Sequence, residues 1–317
     1  MSLVDVFKLG LCEFFRQRHC KDVRVVSYGS APKGTFVFPH SDFDYGLLNM
    51  PASELWKISH TCEKSEGFQY EDCKFIYKSR VTSPKCVVLT FVVQYTKNGH
   101  MVECSVDAVA HCSGSDACFR NSVYIRSHTL IPAVSNVLVS IKQRAAAKNL
   151  NCAPKNTLSS YGWELFIIAA LINLKKVARR IPHFGLPDGF VEALFSTTDS
   201  CKLYSEAACK NVCFDTLENE RCLGGQIDEI EVIQEILTLM LSKKPVFVGK
   251  FGQTCELPKK STLVLVDPVC NSSGKPQNVA ASVDESGYKR IVAGLREMVA
   301  PVSQTYGRTT NPEIEQL

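Results

Sequence analysis

Apolar residues at Leu3, Val6, Phe7, Leu11, Phe14 and Phe15 recur at three- and four-residue intervals, which predicts an amphipathic helix over the first 18 residues. The period then changes. Val23-Arg24-Val25-Val26-Ser27-Tyr28 is short and rich in β-branched side chains, and it reads with 41–49 as a pair of strands. Pro51 to Trp56 opens a helix whose apolar stripe continues to Ile58. Strands are predicted at 68–78, 86–95 and 99–110, the last two joined by Lys97-Asn98-Gly99, which is hairpin-turn chemistry. From about residue 130 the helical period takes over, at 131–148, 157–179, 187–195 and 227–242. Pro154 and Asn156 separate the first two of these helices, with Asn156 or Thr157 placed to cap the second. Thr262 to Val266 is an isolated β-rich run, 283–299 a last helix, and 301–317 a polar stretch that reads as a frayed tail. Leu165 to Ile172 is apolar throughout but ends at Asn173, short of the ~18 residues of a membrane span, so it predicts a core helix.

This order predicts an α+β fold of two lobes. Residues 1–130 form a mixed sheet with helices on one face, residues 131–317 form a helical lobe, and substrate binds in the cleft between them, as pockets often do at domain interfaces. With 317 residues, 45% of them hydrophobic and 21% charged, the chain has the composition of a soluble globular protein with a sizeable core. A net charge of +4 permits nucleotide or nucleic-acid binding without demanding it. The basic runs Arg16–Lys21 and Lys175–Arg180 read as solvated helix ends. The 15 cysteines are scattered through predicted elements with no C-x₂-C pair, and Asp5 and Lys8 interrupt the first apolar stretch, which argues against a secretory signal. A reducing cytoplasmic (or nuclear) setting is expected, with cysteine acting as a small apolar residue. Cys201, Cys209, Cys213 and Cys222, with His183 upstream, fit no common zinc frame.

The candidate chemistry sits in Ser41-Asp42-Phe43-Asp44. On a strand, residues i and i+2 share a face, so Asp42 and Asp44 aim two carboxylates at one spot, an arrangement that a hard divalent ion such as Mg²⁺ relieves. Just upstream, a strand runs into Gly29-Ser30-Ala31-Pro32-Lys33-Gly34-Thr35, a small turn that lets backbone N–H groups approach phosphate. It is not a P-loop, since no Gly-Lys-Ser/Thr stands at the required spacing. Asp107, in the otherwise apolar run Val106–Val109, is the candidate third carboxylate, because an unpaired charge there would be costly to bury.

Gly29-Ser30, Asp42-x-Asp44 and a later-strand Asp107 together resemble the polymerase-beta-like nucleotidyltransferases, and more closely the 2′-5′-oligoadenylate synthetases. Gly-Ser-Ala-Pro-Lys-Gly-Thr at 29–35 is similar to that family's Gly-Ser-x-x-Lys-Gly-Thr, and Ser-Asp-Phe-Asp at 41–44 to its Ser-Asp-x-Asp. Ser160-Tyr161-Gly162-Trp163-Glu164-Leu165 and Leu265-Val266-Asp267-Pro268, with Asn278-Val279 after it, are similar to its later helical and Asp-Pro segments. The resemblance implies a two-Mg²⁺ transfer. Asp42 and Asp44 would hold both ions, and Asp107 would complete the site and help deprotonate the attacking 2′-hydroxyl. ATP would be donor and acceptor, with pyrophosphate released. Gly29 and Ser30 would bind nucleotide, Lys142 would contact the donor triphosphate, and Ser160 and Tyr161 would contact phosphate and base.

One departure concerns RNA. Vertebrate members carry a basic stretch that grips double-stranded RNA, and the matching Tyr124–Ala133 has one Arg and one His, so RNA activation is expected to be weak or dispensable, as in the short sponge-type enzymes. Two other readings compete: a cyclic dinucleotide synthase of the same superfamily, and a catalytically inactive RNA-binding scaffold. The zinc-thumb pattern of the first is absent, and the second would be expected to have lost an aspartate.

Overall fold

The computed structural model describes residues 1–18, 20, 22–38, 40–63, 67–82, 87–110, 117–179, 226–248, 261–268 and 277–300. Ser2 caps the opening helix α1 (Leu3–Gln17) by accepting from the Asp5 N–H, and Phe7, Leu11, Phe14 and Phe15 form its buried stripe. The strands β1 (Arg24–Tyr28), β2 (Phe43–Leu48), β3 (Phe68–Tyr70), β4 (Cys73–Thr82), β5 (Val87–Lys97) and β6 (His100–Ala110) make one sheet in the order β1-β2-β6-β5-β4-β3. Only the β2–β6 pair is parallel; the other neighbours run antiparallel. The stretch expected as one strand over 68–78 is two strands, because Glu71 adopts a left-handed φ of 48° and turns the chain at Glu71-Asp72. The β5–β6 turn is the expected one, with Asn98 and Gly99 at φ 51° and 78°.

One sheet face is buried. Phe43, Tyr45 and Leu47, Phe75, Leu89, Phe91 and Val93, and Val106 and Ala108 pack with the α1 stripe and with Leu55 and Ile58 of α3 (Ala52–Cys62). The opposite face of β4–β5–β6 stays open, with Val88, Thr90, Val92 and Gln94 half-buried along β5. In β4 the register slips between Tyr77, opposite Phe91, and Ser79, opposite Thr90, so Lys78 is an extra residue in a β-bulge.

A second core holds the helical half: α4 (Ala117–Thr129), α5 (Pro132–Ala147), α6 (Ser160–Asn173), α7 (Glu229–Leu241) and α8 (Glu285–Val299). Tyr124 and Ile125 of α4 already belong to it. The helix α6 is shorter than the expected 157–179 and is capped by Ser159, whose hydroxyl accepts from the Gly162 N–H. Asn156 instead ends a 3₁₀ turn at φ 61°, and Thr157 bonds back to Cys152. Every residue from Gly162 to Leu171 is buried, as expected for a helix that is apolar nearly all round. The β-rich run near 262 is a two-residue strand, β8 (Leu265–Val266), parallel to β7 (Val246–Phe247). The helix expected at 187–195, the Cys201–Cys222 group and the 301–317 stretch lie outside the described residues. Among the described residues no helix is long and apolar enough to cross a membrane.

Candidate active site

The parallel pairing of β2 and β6 sets Asp44 directly opposite Asp107. The residues flanking each, Phe43 and Tyr45, Val106 and Ala108, face the core. Alternation therefore puts both carboxylates on the open face, each half-buried. Asp42 stands just ahead of β2 and is exposed. On β5, Thr90 is opposite Asp107 and donates its hydroxyl to Asp107 Oδ1 at 2.7 Å. Among the described residues no three His, Cys, Asp or Glu side chains are drawn together tightly enough to hold a metal ion. The sheet register joins Asp44 and Asp107, and Asp42 stands at the rim.

The electrostatics nevertheless suit a cation. Burial, and then the Asp107 charge, push the Asp44 carboxyl up to about 7, with Asp42 adding to the rise and Lys33 opposing it. Burial also raises Asp107, against the Thr90 hydrogen bond and Lys78. A pocket that disfavours the ionised form of one carboxylate because a second lies beside it is relieved by a divalent ion, and oxygen donors fit Mg²⁺.

Gly29 is where the backbone meets these carboxylates. Its φ is 75° and its ψ −151°, and a Cβ there would lie 1.9 Å from Asp44 Oδ2. Only glycine suits both the conformation and the approach. Ser30, buried, opens the single turn α2 (Ser30–Lys33), which Gly34 closes at φ 73°. The Gly29 N–H donates to Ser122 Oγ of α4 at 3.0 Å. Beside it, Asn121 keeps a buried side-chain carbonyl with no hydrogen-bond partner, a group that a ligand hydroxyl could satisfy. Sequence reasoning missed Asn121 and Ser122 because it placed no helix at 117–129.

Behind the turn lies a buried charge network. Glu164 of α6 is fully buried and accepts from Lys33 Nζ at 2.9 Å, Lys142 Nζ at 2.8 Å and Thr35 Oγ1 at 2.6 Å. Lys142 Nζ also donates to the Thr35 carbonyl at 2.9 Å. Burial pushes the Glu164 carboxyl up, but Lys142 and Lys33 more than reverse this and hold it at about 2. One carboxylate serves two ammonium ions, so burial still draws Lys142 below its ordinary value. The remaining positive charge is felt at Asp44, which Lys33 stabilises. The structure therefore places Lys142, 2% exposed, beneath the turn and paired with Glu164. Lys33, read as a charge for phosphate, is likewise spent on Glu164.

Ser160 and Tyr161 begin α6, both half-buried. The Tyr161 hydroxyl donates to Asp267 Oδ1 at 2.8 Å, and Lys33 Nζ lies 5.3 Å from its ring centroid. Burial and Asp267 hold the Tyr161 phenol well above its ordinary value, so it stays a donor. Asp267, itself buried, fixes the ring from the far end of the chain. In the stretch Tyr124–Ala133, Tyr124, Ile125, Ser127, His128 and Thr129 are buried while Ile131, Pro132 and Ala133 are exposed, and Thr129 donates to the Lys33 carbonyl.

No protein-family model and no curated protein sequence matches the chain. The fold does have solved counterparts that share its mixed sheet plus helical lobe. The Cid1 poly(U) polymerase bound to MgGTP superposes with a TM-score of 0.59 at 17% identity, over 94% of this chain and 89% of that one. A cytoplasmic RNA terminal U-transferase gives 0.57 at 18% identity, over 93% and 86%. Cid1 with the UTP analogue UMPNPP gives 0.58 at 17%, over 94% and 88%. At these identities the likeness establishes the shared fold; the 2′-5′ synthetase resemblance rests on the sequence motifs.

Proposed function

We propose that this chain is a template-independent nucleotidyltransferase, moving a nucleoside monophosphate from a nucleoside triphosphate to a ribose hydroxyl with release of pyrophosphate. The observation that carries this reading is the register pairing of Asp44 with Asp107 on one open sheet face, with Gly29 pressed against Asp44. Asp42, Asp44 and Asp107 would hold Mg²⁺. Bound there, the metal supplies charge stabilisation for the entering and leaving oxygens of an in-line displacement. The chain's own part is positioning. Thr90 orients Asp107 toward the acceptor hydroxyl, whose proton it takes, and Gly29 leaves room for the Asp44 carboxylate against the turn. Asn121 offers its free carbonyl to a donor hydroxyl, and Tyr161, braced by Asp267, gives the base a ring to stack on. The fold's likeness to a poly(U) polymerase and an RNA terminal U-transferase supports the terminus of an RNA strand as acceptor.

A second reading, 2′-5′-linked oligoadenylate synthesis from ATP, is favoured by one observation. Lys33 and Thr35 of the first motif segment both bind Glu164 of the later one, so the segments that carry the resemblance form one structural unit. Its need for double-stranded RNA is expected to be small, since the Tyr124–Ala133 stretch carries one Arg and one His, the His buried.

The test is to incubate the purified protein with Mg²⁺ and each nucleoside triphosphate, with and without a single-stranded RNA oligonucleotide. Products are resolved before and after a 3′-5′-specific nuclease. An extended, nuclease-sensitive oligonucleotide supports terminal transfer, and resistant adenylates formed from ATP alone support the second reading. Asp107→Asn should abolish either product, and turnover retained in that variant would overturn the assignment.

A further inference from the structure

The open sheet face beside Asp107 carries a feature that donor binding does not use. Tyr77 of β4 turns its ring to the core, 6.2 Å from the Phe91 centroid. After the bulge, Ser79 pairs with Thr90, and Arg80 returns to the back of the sheet, where it donates to Ser59 Oγ. An unbulged strand would put Ser79 toward the core and Arg80 on the open face. The bulge removes Arg80 from that face and sets Lys78 and Ser79 there together, level with Thr90 and Asp107. Lys78 is exposed, and it forms no salt bridge or hydrogen bond among the described residues. Its strand is two spacings from β6, about 10 Å, a gap that a lysine side chain largely closes. Consistent with that closeness, the Lys78 charge helps to lower the Asp107 carboxyl against burial.

The donor side of the cleft is the Gly29 turn and Tyr161, across β2 from β6. The β5–β4 side is thus left to the acceptor. An acceptor ribose whose hydroxyl meets Asp107 carries its own 5′-phosphate a few ångströms away. We propose that Lys78 binds the phosphate on the 5′ side of the acceptor ribose, making it an acceptor-positioning residue. The inference rests on the nucleotidyltransferase reading and adds the side from which the acceptor enters. The phosphate belongs either to an internucleotide link of an RNA strand or to the 5′-triphosphate of a free nucleotide.

The experiment compares Lys78→Met, Lys78→Arg and Lys74→Met in the full chain. Lys74 pairs with Gln94 farther along β4, so its loss makes the same charge change away from Asp107. Loss of one charge-assisted contact should raise the acceptor KM about tenfold in Lys78→Met, leave the donor KM unchanged, be restored by Lys78→Arg, and be absent in Lys74→Met. For an RNA acceptor, the log–log salt slope of binding should shrink by about 0.7. An effect seen with oligonucleotide acceptors places the phosphate in an RNA strand; one seen only with ATP places it in a triphosphate. An unchanged acceptor KM, a donor KM that rises in step, or an equal effect of Lys74→Met would each overturn the inference. If the wild-type protein transfers nothing, the nucleotidyltransferase reading fails separately. Fluorescence anisotropy with a 5′-labelled RNA then decides the role of Lys78, and equal affinity of wild type and Lys78→Met overturns it.

Discussion

Glu164→Gln probes the buried network without changing its shape. In the native protein one carboxylate, fully buried, balances Lys142 and Lys33, which are 2% and 8% exposed. The amide still accepts hydrogen bonds but leaves two ammonium ions in the interior with Asp44 as their nearest charge partner. Breaking a buried pair in this way costs roughly 3–5 kcal/mol. The pKa gives a second route to the size of the effect: a carboxyl held at about 2 against an ordinary 4.5 contributes about 3 kcal/mol once pH is above both values. The two agree. Urea unfolding at pH 7 should therefore show a loss of about 3 kcal/mol or more, with an unchanged m-value. The sign in acid follows from the depressed pKa. This stabilisation is present above about 4.5 and fades as pH falls toward about 2, so the difference between wild type and variant should narrow over that window. Glu164→Gln/Lys142→Met should recover part of the loss, because one of the two uncompensated ammonium ions is then gone. An unfolding midpoint equal to wild type, or a double variant no better than the single one, would refute the ionised network.

Two further substitutions test the carboxylate face. Without a cation, Asp44 is raised to about 7, so its ionised form opposes folding: its contribution is most favourable below about 3.8 and is lost as pH rises through 7. Asp44→Asn should accordingly raise the melting temperature of metal-free protein at pH 8 while abolishing transfer, and added Mg²⁺ should stabilise wild type but not the variant in the same thermal-shift assay. Gly29→Ala brings a methyl to 1.9 Å from Asp44 Oδ2; displacing that carboxylate by about 1 Å should lower kcat about 100-fold, measured by product formation at saturating nucleotide, with a stability loss of about 1–3 kcal/mol from the strained φ.

The legible parts of the sequence were those governed by local period and turn chemistry. The α1 stripe, the Asn98-Gly99 hairpin and the strand run holding Asp107 follow from spacing alone; the β2–β6 register that sets Asp44 opposite Asp107 does not. What escaped was set by burial of polar groups. In α4, Ser122, Ser127, His128 and Thr129 are interior, so its sequence carries no apolar stripe and no helix is expected there. Polar side chains can line a core when each finds a partner, as Ser127 does at the Tyr124 carbonyl and Thr129 at Lys33. The same physics redirected Lys142. A lysine on a helix carries no sign in sequence of whether its charge meets solvent or a carboxylate contributed by another helix; here Glu164, and the Lys33 it shares, decide the matter across separations of 22 and 131 residues. The motif segments at 29–35 and 160–165 are thus bound to each other. That gives each a structural role sufficient to fix its residues, and it makes the Asp44–Asp107 pair with Gly29, which no packing requirement explains, the stronger evidence for catalysis.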